Sequence, residues 1–260
     1  MEVVIVPTAP NAAAIVADAV AAELGRRPAA VLGLATGSSP LPAYRLLVEA
    51  HRAGRLSFAG ASAVLLDEYI GLPPDHPQSY CTFIRTHLTD LVDLDPRRLH
   101  RPDVLAADLP AACAAYEALL VELGGVDLQL LGIGTDGHVG FNEPSSSLSS
   151  RTRIKTLTDQ TRRDNARFFA SLDEVPRHVV TQGLGTIGAA RHAVLIATGA
   201  AKAVPIAAAV EGPLTAMCPA SVLQLHPHAT VVVDEAAAAG LRLAGYYRDV
   251  FAGKPAWQAL

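Results

Sequence analysis

Half of the 260 residues are hydrophobic and 18% are charged, so a sizeable core is available and wholesale disorder is excluded. A net charge of −4 with no block of like charges leaves no basic footprint for nucleic acid. The apolar runs at 12–24 and 200–210 are too short or too broken by charge to span a bilayer, so no membrane partner is expected. The opening "MEVVIVPTAP" lacks the basic start and long apolar stretch of a signal peptide. Cys81, Cys113 and Cys218 are far apart and odd in number. They argue against a disulfide framework or a zinc site and suit a reducing cytoplasm.

The first predicted element is a short apolar, β-branched strand at 3–6, followed by helical spacing over 11–24. A strand at 30–34 runs into "ATGSSPLPAY", where Thr36, Gly37, Ser38 and Ser39 precede Pro40 and a helix over 41–53. Glycine and hydroxyls before a helix can cradle an anion, or can simply cap it. No lysine stands where a Walker loop requires one. The strand at 63–66 ends in Asp67 and Glu68, two acids that either enter a crevice or sit solvated in a loop. Helical spacing follows at 78–91 and 107–123, then a strand at 126–131. Beyond the loop it leads into come a helix at 159–169, a strand at 193–197, a helix at 200–210 and a strand at 230–233. Such alternation predicts one α/β domain over 1–260, with a largely parallel sheet covered by helices on both faces. Ligands of such sheets bind outside the carboxyl ends of the strands.

The loop after 126–131 reads "GIGTDGHVGFNEPSSSL". Gly132, Gly134 and Gly137 have the G-x-G-x-x-G spacing of a dinucleotide fingerprint, but Pro144 and a serine run replace the helix that the motif must open. Asp136, His138 and Glu143 crowd the same loop, which suits acid–base chemistry better than a nucleotide cradle.

Together, "LGLATGSSP", "LLDEYIGLPPDHPQSY", "LLGIGTDGHVGFNEPSSSLSSRTRIKTLT", "TRRDNARFF", "ATGAAKA" and "CPASVLQLHPHA" resemble the glucosamine-6-phosphate deaminases, in order, over most of the chain. The resemblance implies a Rossmann-like fold shared with sugar-phosphate isomerases, and catalysis without nucleotide or metal. It implies an amino-sugar phosphate substrate, with glucosamine 6-phosphate and water becoming fructose 6-phosphate and ammonia. In its terms Asp67 is the enolisation base and His138 the ring-opening acid–base, with Asp136 and Glu143 as partners of that histidine. Thr36, Gly37, Ser38 and Ser39 form the substrate loop, and Arg167 and Lys202 are phosphate-binding cations. Ser38 and Ser39 stand where many relatives have Gly and Thr. Ser146, Arg153, Lys155 and Thr156 match the residues that bind the allosteric activator N-acetylglucosamine 6-phosphate in activated relatives. Tyr246 and Tyr247 approach the tyrosine those relatives carry in the last helix. The family contains both hexamers and monomers. An extended segment would put Arg153 and Lys155 on one side, making a small anion site; solvated loop charges are the alternative.

Two other readings stay open at this point. A 6-phosphogluconolactonase would share fold and phosphate loop but has no use for an enolising aspartate. A sugar-phosphate-sensing regulator would carry a helix-turn-helix, for which a first strand at residue 3 leaves no room.

Overall fold

Alternate residues of the first strand set the layering. Val4 and Val6 join one apolar cluster, Val3 and Ile5 another on the opposite face. The computed structural model describes residues 1–73, 75–166, 169, 171–255, 258 and 260. Its first half contains β1 (Glu2–Val6), α1 (Ala9–Arg26), β2 (Val31–Leu34), α2 (Leu41–Arg52), β3 (Ser62–Leu65), β4 (Asp67–Tyr69), α3 (Tyr80–His87), β5 (Leu99–His100), α4 (Leu109–Glu122) and β6 (Leu128–Leu131). The second half adds β7 (Arg153–Thr156), α5 (Asp159–Asn165), β8 (His178–Thr181), α6 (Leu184–Ile187), β9 (His192–Ala197), α7 (Ala203–Val210), β10 (Ala229–Asp234), α8 (Glu235–Ala238) and α9 (Ala244–Ala252).

Seven strands form a parallel sheet in the order β1-β10-β9-β6-β2-β3-β5. Every strand the sequence predicts lies in it. The helices α1 and α2 pack on one face and α7 and α8 on the other, because the central strands carry apolar side chains on both sides. Several helix starts follow from local sequence: Thr8 accepts from the Asn11 amide, Asp108 from Ala111, and Ser79 from Thr82. The start of α2 does not. Pro40 stands just before the helix rather than in its first turn, and no side chain caps it. The capping alternative for Ser38 and Ser39 therefore fails.

A second, antiparallel sheet, β4-β8-β7, is absent from the sequence reading. Its strands are short and polar, and the register joins Asp67 to Thr181 and Thr181 to Arg153 across long stretches of chain. Such pairing leaves no periodic apolar signal. The predicted helix over 159–169 is observed over Asp159–Asn165, its continuation falling partly outside the described residues. Among the described residues no helix is long and apolar enough to cross a membrane.

Candidate active site

The sheet reverses its winding between β2 and β6: from β2 the chain proceeds outward to β3 and β5, and from β6 the other way to β9 and then β10, which lies beside β1. A crevice outside the carboxyl ends of the strands is expected at such a point. It is present as a cleft of about 770 Å³, within the ordinary range for small-ligand sites. The segments at the ends of four adjacent strands wall it: Thr36–Ser39 after β2, Asp67 after β3, Gly132–His138 after β6, and Lys202 after β9. Two buried tyrosines fix the strand ends. The Tyr44 hydroxyl donates to the Ala35 carbonyl at 2.7 Å, immediately before the 36–39 loop. The Tyr116 hydroxyl donates to the Leu65 carbonyl at 2.7 Å, two residues before Asp67. Sequence reasoning takes both as ordinary helix residues, because only the tertiary fold determines which carbonyl each meets.

No helix opens at Gly137, so the dinucleotide geometry is absent and the loop after β6 serves other groups. His138 Nδ1 lies 2.6 Å from Asp136 Oδ1, and the same oxygen accepts the His138 amide at 3.1 Å. The bonds from His138 hold the Asp136 carboxyl below its ordinary range. A Cβ on Gly134 would fall 2.2–2.5 Å from the His138 ring, so glycine is required there for the imidazole to lie flat on the loop. Lys202 donates to the Ile133 carbonyl at 2.6 Å, which ties the ammonium to this loop. Burial lowers its pKa, and Asp136 opposes that shift. The cation thus faces the cleft in partly desolvated surroundings, where its attraction for an anion is strengthened.

Asp67 is 5% exposed. Burial first, and the neighbouring Glu68 charge second, hold its carboxyl well above the ordinary range. Gly140 of the adjoining loop explains how the carboxylate keeps its space. Its φ is +58°, and a Cβ there would meet Thr181 Oγ1 at 2.9 Å and Asp67 Oδ2 at 3.2 Å. Gly140→Ala is expected to lower turnover by about 10²-fold, the usual scale for displacing a reacting group by about 1 Å. Steady-state assays on the purified variant check this, alongside a urea titration to confirm that it folds.

The remaining expected residues divide. Glu143 is buried and accepts from the Thr158 and Thr161 hydroxyls at the start of α5; its carboxylate makes no bond to the His138 ring. Arg167 lies outside the described residues. Arg153 and Lys155 do share one side of β7, partly buried, while Ile154 and Thr156 are on the exposed side. Arg153 donates to Asn142 Oδ1 at 2.9 Å and so supports the loop after β6 from behind. Ser146 is buried, its hydroxyl without a partner. Tyr246 and Tyr247 lie on α9, which packs against β1 at the edge of the large sheet, and Tyr247 bonds Glu211. Aromatic side chains absent from the sequence reading complete the cleft. Tyr80 stacks on Phe141 at 5.9 Å, meets Tyr69 edge-on at 5.0 Å, and bonds the Thr36 side chain.

Among the described residues no group of three or more His, Cys, Asp or Glu gathers to hold a metal ion. The arrangement offers a buried carboxyl group, an imidazole–carboxylate pair, and a cationic, hydroxyl-lined end. The family profile of glucosamine-6-phosphate isomerases and 6-phosphogluconolactonases matches residues 7–233. A glucosamine-6-phosphate deaminase of Arthrobacter sp. (strain FB24) is 62% identical over 260 residues, covering both chains fully. One of Streptomyces coelicolor is 58% identical over 261 residues with the same full coverage. The solved structure of a monomeric glucosamine-6-phosphate deaminase superposes with a TM-score of 0.90 at 42% identity, covering 92% of this chain and all of the other. A 6-phosphogluconolactonase from Trypanosoma brucei shares the fold alone, with a TM-score of 0.75 at 19% identity over 92% of this chain and 98% of its own. The chain belongs to the glucosamine-6-phosphate deaminase family.

Proposed function

We propose that Asp67 and His138 divide the two proton-transfer tasks of the reaction between them, on a substrate whose phosphate sits against the 36–39 loop and Lys202. The activity is isomerising deamination: glucosamine 6-phosphate and water become fructose 6-phosphate and ammonia. The observation that carries the assignment of roles is a raised, buried Asp67 carboxyl facing the same cleft as the His138–Asp136 pair.

His138 opens the ring by moving a proton from the anomeric hydroxyl to the ring oxygen. Asp136 beside Nδ1 leaves Nε2 directed to the sugar and supports the imidazolium as it forms. Glu143 belongs to the same step and ties the ring-opening loop to α5 through Thr158 and Thr161. Asp67 then removes the C2 proton of the open aldehyde and returns a proton to C1. The resulting ketimine at C2 takes up water and expels ammonia. A carboxylate that resists ionisation is a stronger base once ionised, which suits removal of a proton from carbon. Thr36, Gly37, Ser38 and Ser39 supply donors to the phosphate, and Lys202 a point charge. Arg167 joins them as the second cation.

A lactonase would need only water activation beside the phosphate loop, and the buried Asp67 would stand idle. Incubation with glucosamine 6-phosphate and, separately, with 6-phosphogluconolactone distinguishes the two. Ammonia from the first is expected; hydrolysis of the second without ammonia from the first would overturn the reading.

The span 1–260 works as one domain, in the cytoplasm, in the use of N-acetylglucosamine as a carbon and nitrogen source. We also propose that Ser146, Arg153, Lys155 and Thr156 contribute to an activator site for N-acetylglucosamine 6-phosphate in an oligomer. The shared side of Arg153 and Lys155, and the unpartnered Ser146 hydroxyl, support it. Activation requires two states that bind the activator differently. Substrate saturation is then expected to be sigmoidal and to become hyperbolic with activator, and Lys155→Ala to lose that response. Hyperbolic kinetics unmoved by N-acetylglucosamine 6-phosphate, from a chain that sediments as a monomer, would remove the regulatory site and leave the deaminase intact.

A further inference from the structure

Glu68, the residue beside the base, is 1% exposed and does not line the cleft. Its neighbours Asp67 and Tyr69 point the other way from the strand, as alternation requires. A buried carboxylate needs strong compensation, and Glu68 receives it from backbone donors. Oε1 accepts the amides of Tyr69 and Tyr80, each at 2.9 Å, and Oε2 accepts the amide of Cys81 at 2.9 Å. Tyr80 and Cys81 open α3, and Ser79 Oγ takes the Thr82 amide. The first donors of the helix are thus satisfied by a carboxylate reaching across from the catalytic strand, where helix polarity also favours it.

This clamp has consequences for the cleft. By fixing the first turn of α3 to β4, it fixes Tyr80, whose ring bears on Phe141 of the ring-opening loop and whose hydroxyl meets Thr36 of the phosphate loop. One side chain outside the cleft therefore sets the spacing of three segments inside it. Its charge also acts on the base directly.

We infer that Glu68 is a positioning residue for the enolisation step, clamping α3 to the Asp67 strand and holding the base in place. The inference rests on the reading of Asp67 as the base. The groups around Glu68 are Asp67 and Tyr69 on its own strand, Tyr80 and Cys81 on α3, and Arg101 beyond β5. Those around Asp67 are Glu68, Tyr69, Tyr80 and Tyr116. Burial raises the Glu68 carboxyl; the backbone bonds and Arg101 oppose this. Burial also raises Asp67, and the Glu68 charge adds to the rise. Removing that charge must therefore let Asp67 ionise at lower pH and make it a weaker base.

Glu68→Gln keeps the shape, removes the charge, and turns an amide group toward backbone donors. Exchange of the substrate C2 proton with solvent is expected to fall about ten- to hundredfold, the scale of a misplaced reacting group. The acid limb of its pH profile is expected to move to lower pH, while KM changes by less than about threefold. A wild-type rate with an unmoved limb would overturn the inference. So would losses in kcat and KM together with the limb in place, which is what structural damage alone produces. If Glu68→Gln does not fold, Glu68→Asp keeps the charge but withdraws the carboxylate from α3; a reduced rate with an unmoved limb is expected, and an unchanged rate overturns the inference. Asp67→Asn run alongside separates the two readings. Exchange that survives Asp67→Asn removes the base assignment itself, whereas exchange lost in Asp67→Asn but intact in both Glu68 variants removes only the role of Glu68.

Discussion

Asp67→Asn is expected to lower deamination by about 10²–10⁴-fold, the range associated with loss of a general base, while binding of a phosphorylated sugar persists. The amide preserves size and polarity in a site that is 5% exposed, so neither a cavity nor an overpacked core is introduced. It also removes a carboxylate that is costly to bury, so stability should not fall. Only the ability to take a proton from C2 is lost. In the wild-type protein, the same base gives the pH profile its sign. The carboxyl is held above its ordinary range and a base acts when ionised, so the rate is expected to rise with pH through that titration and to be lost as pH falls below it. Steady-state kinetics and C2 exchange on the variant check the prediction, and near-wild-type turnover would take Asp67 out of the mechanism.

His138→Gln is expected to cost about 10²–10⁴-fold on the cyclic substrate, because glutamine can hydrogen-bond the sugar but cannot carry a proton between its oxygens. The ring it replaces lies against Gly134 with Asp136 at its far nitrogen, so the disturbance stays within that loop. An open-chain analogue bypasses the step. Its binding and its C2 exchange should stay within about threefold of wild type, since no transition-state interaction in that half of the reaction is removed. Equal impairment of cyclic and open-chain compounds would withdraw ring opening from His138.

What could be seen in the sequence depended on how local the determining interactions are. The strands at the centre of the parallel sheet announce themselves as short runs of Val, Leu, Ile and Ala, because both faces are buried and each needs apolar residues. The small sheet did not. Asp67–Tyr69, Arg153–Thr156 and His178–Thr181 are stabilised by partners far along the chain, and their own residues carry little apolar signal. In the cleft, Asp67, His138 and the 36–39 loop were legible because each follows a recognisable strand. The pairing of His138 with Asp136 follows from close spacing in one loop. Tyr44, Tyr116 and Glu68 were not legible, since each acts on a backbone group that only the folded chain brings near. Ser38 and Ser39 illustrate the converse: local rules favoured a helix cap, and the structure leaves them in the wall of the cleft instead.

Deamination through enolisation at C2 fixes the fate of a deuterium placed at that carbon of glucosamine 6-phosphate. If Asp67 removes that atom, turnover shows a primary isotope effect when the step limits the rate. In every case the deuterium appears at C1 of fructose 6-phosphate or in water, with one ammonia per ketose formed. Ammonia released with an aldose 6-phosphate that still carries deuterium on C2 would mean direct displacement of the amine without isomerisation, and would rule out enolisation.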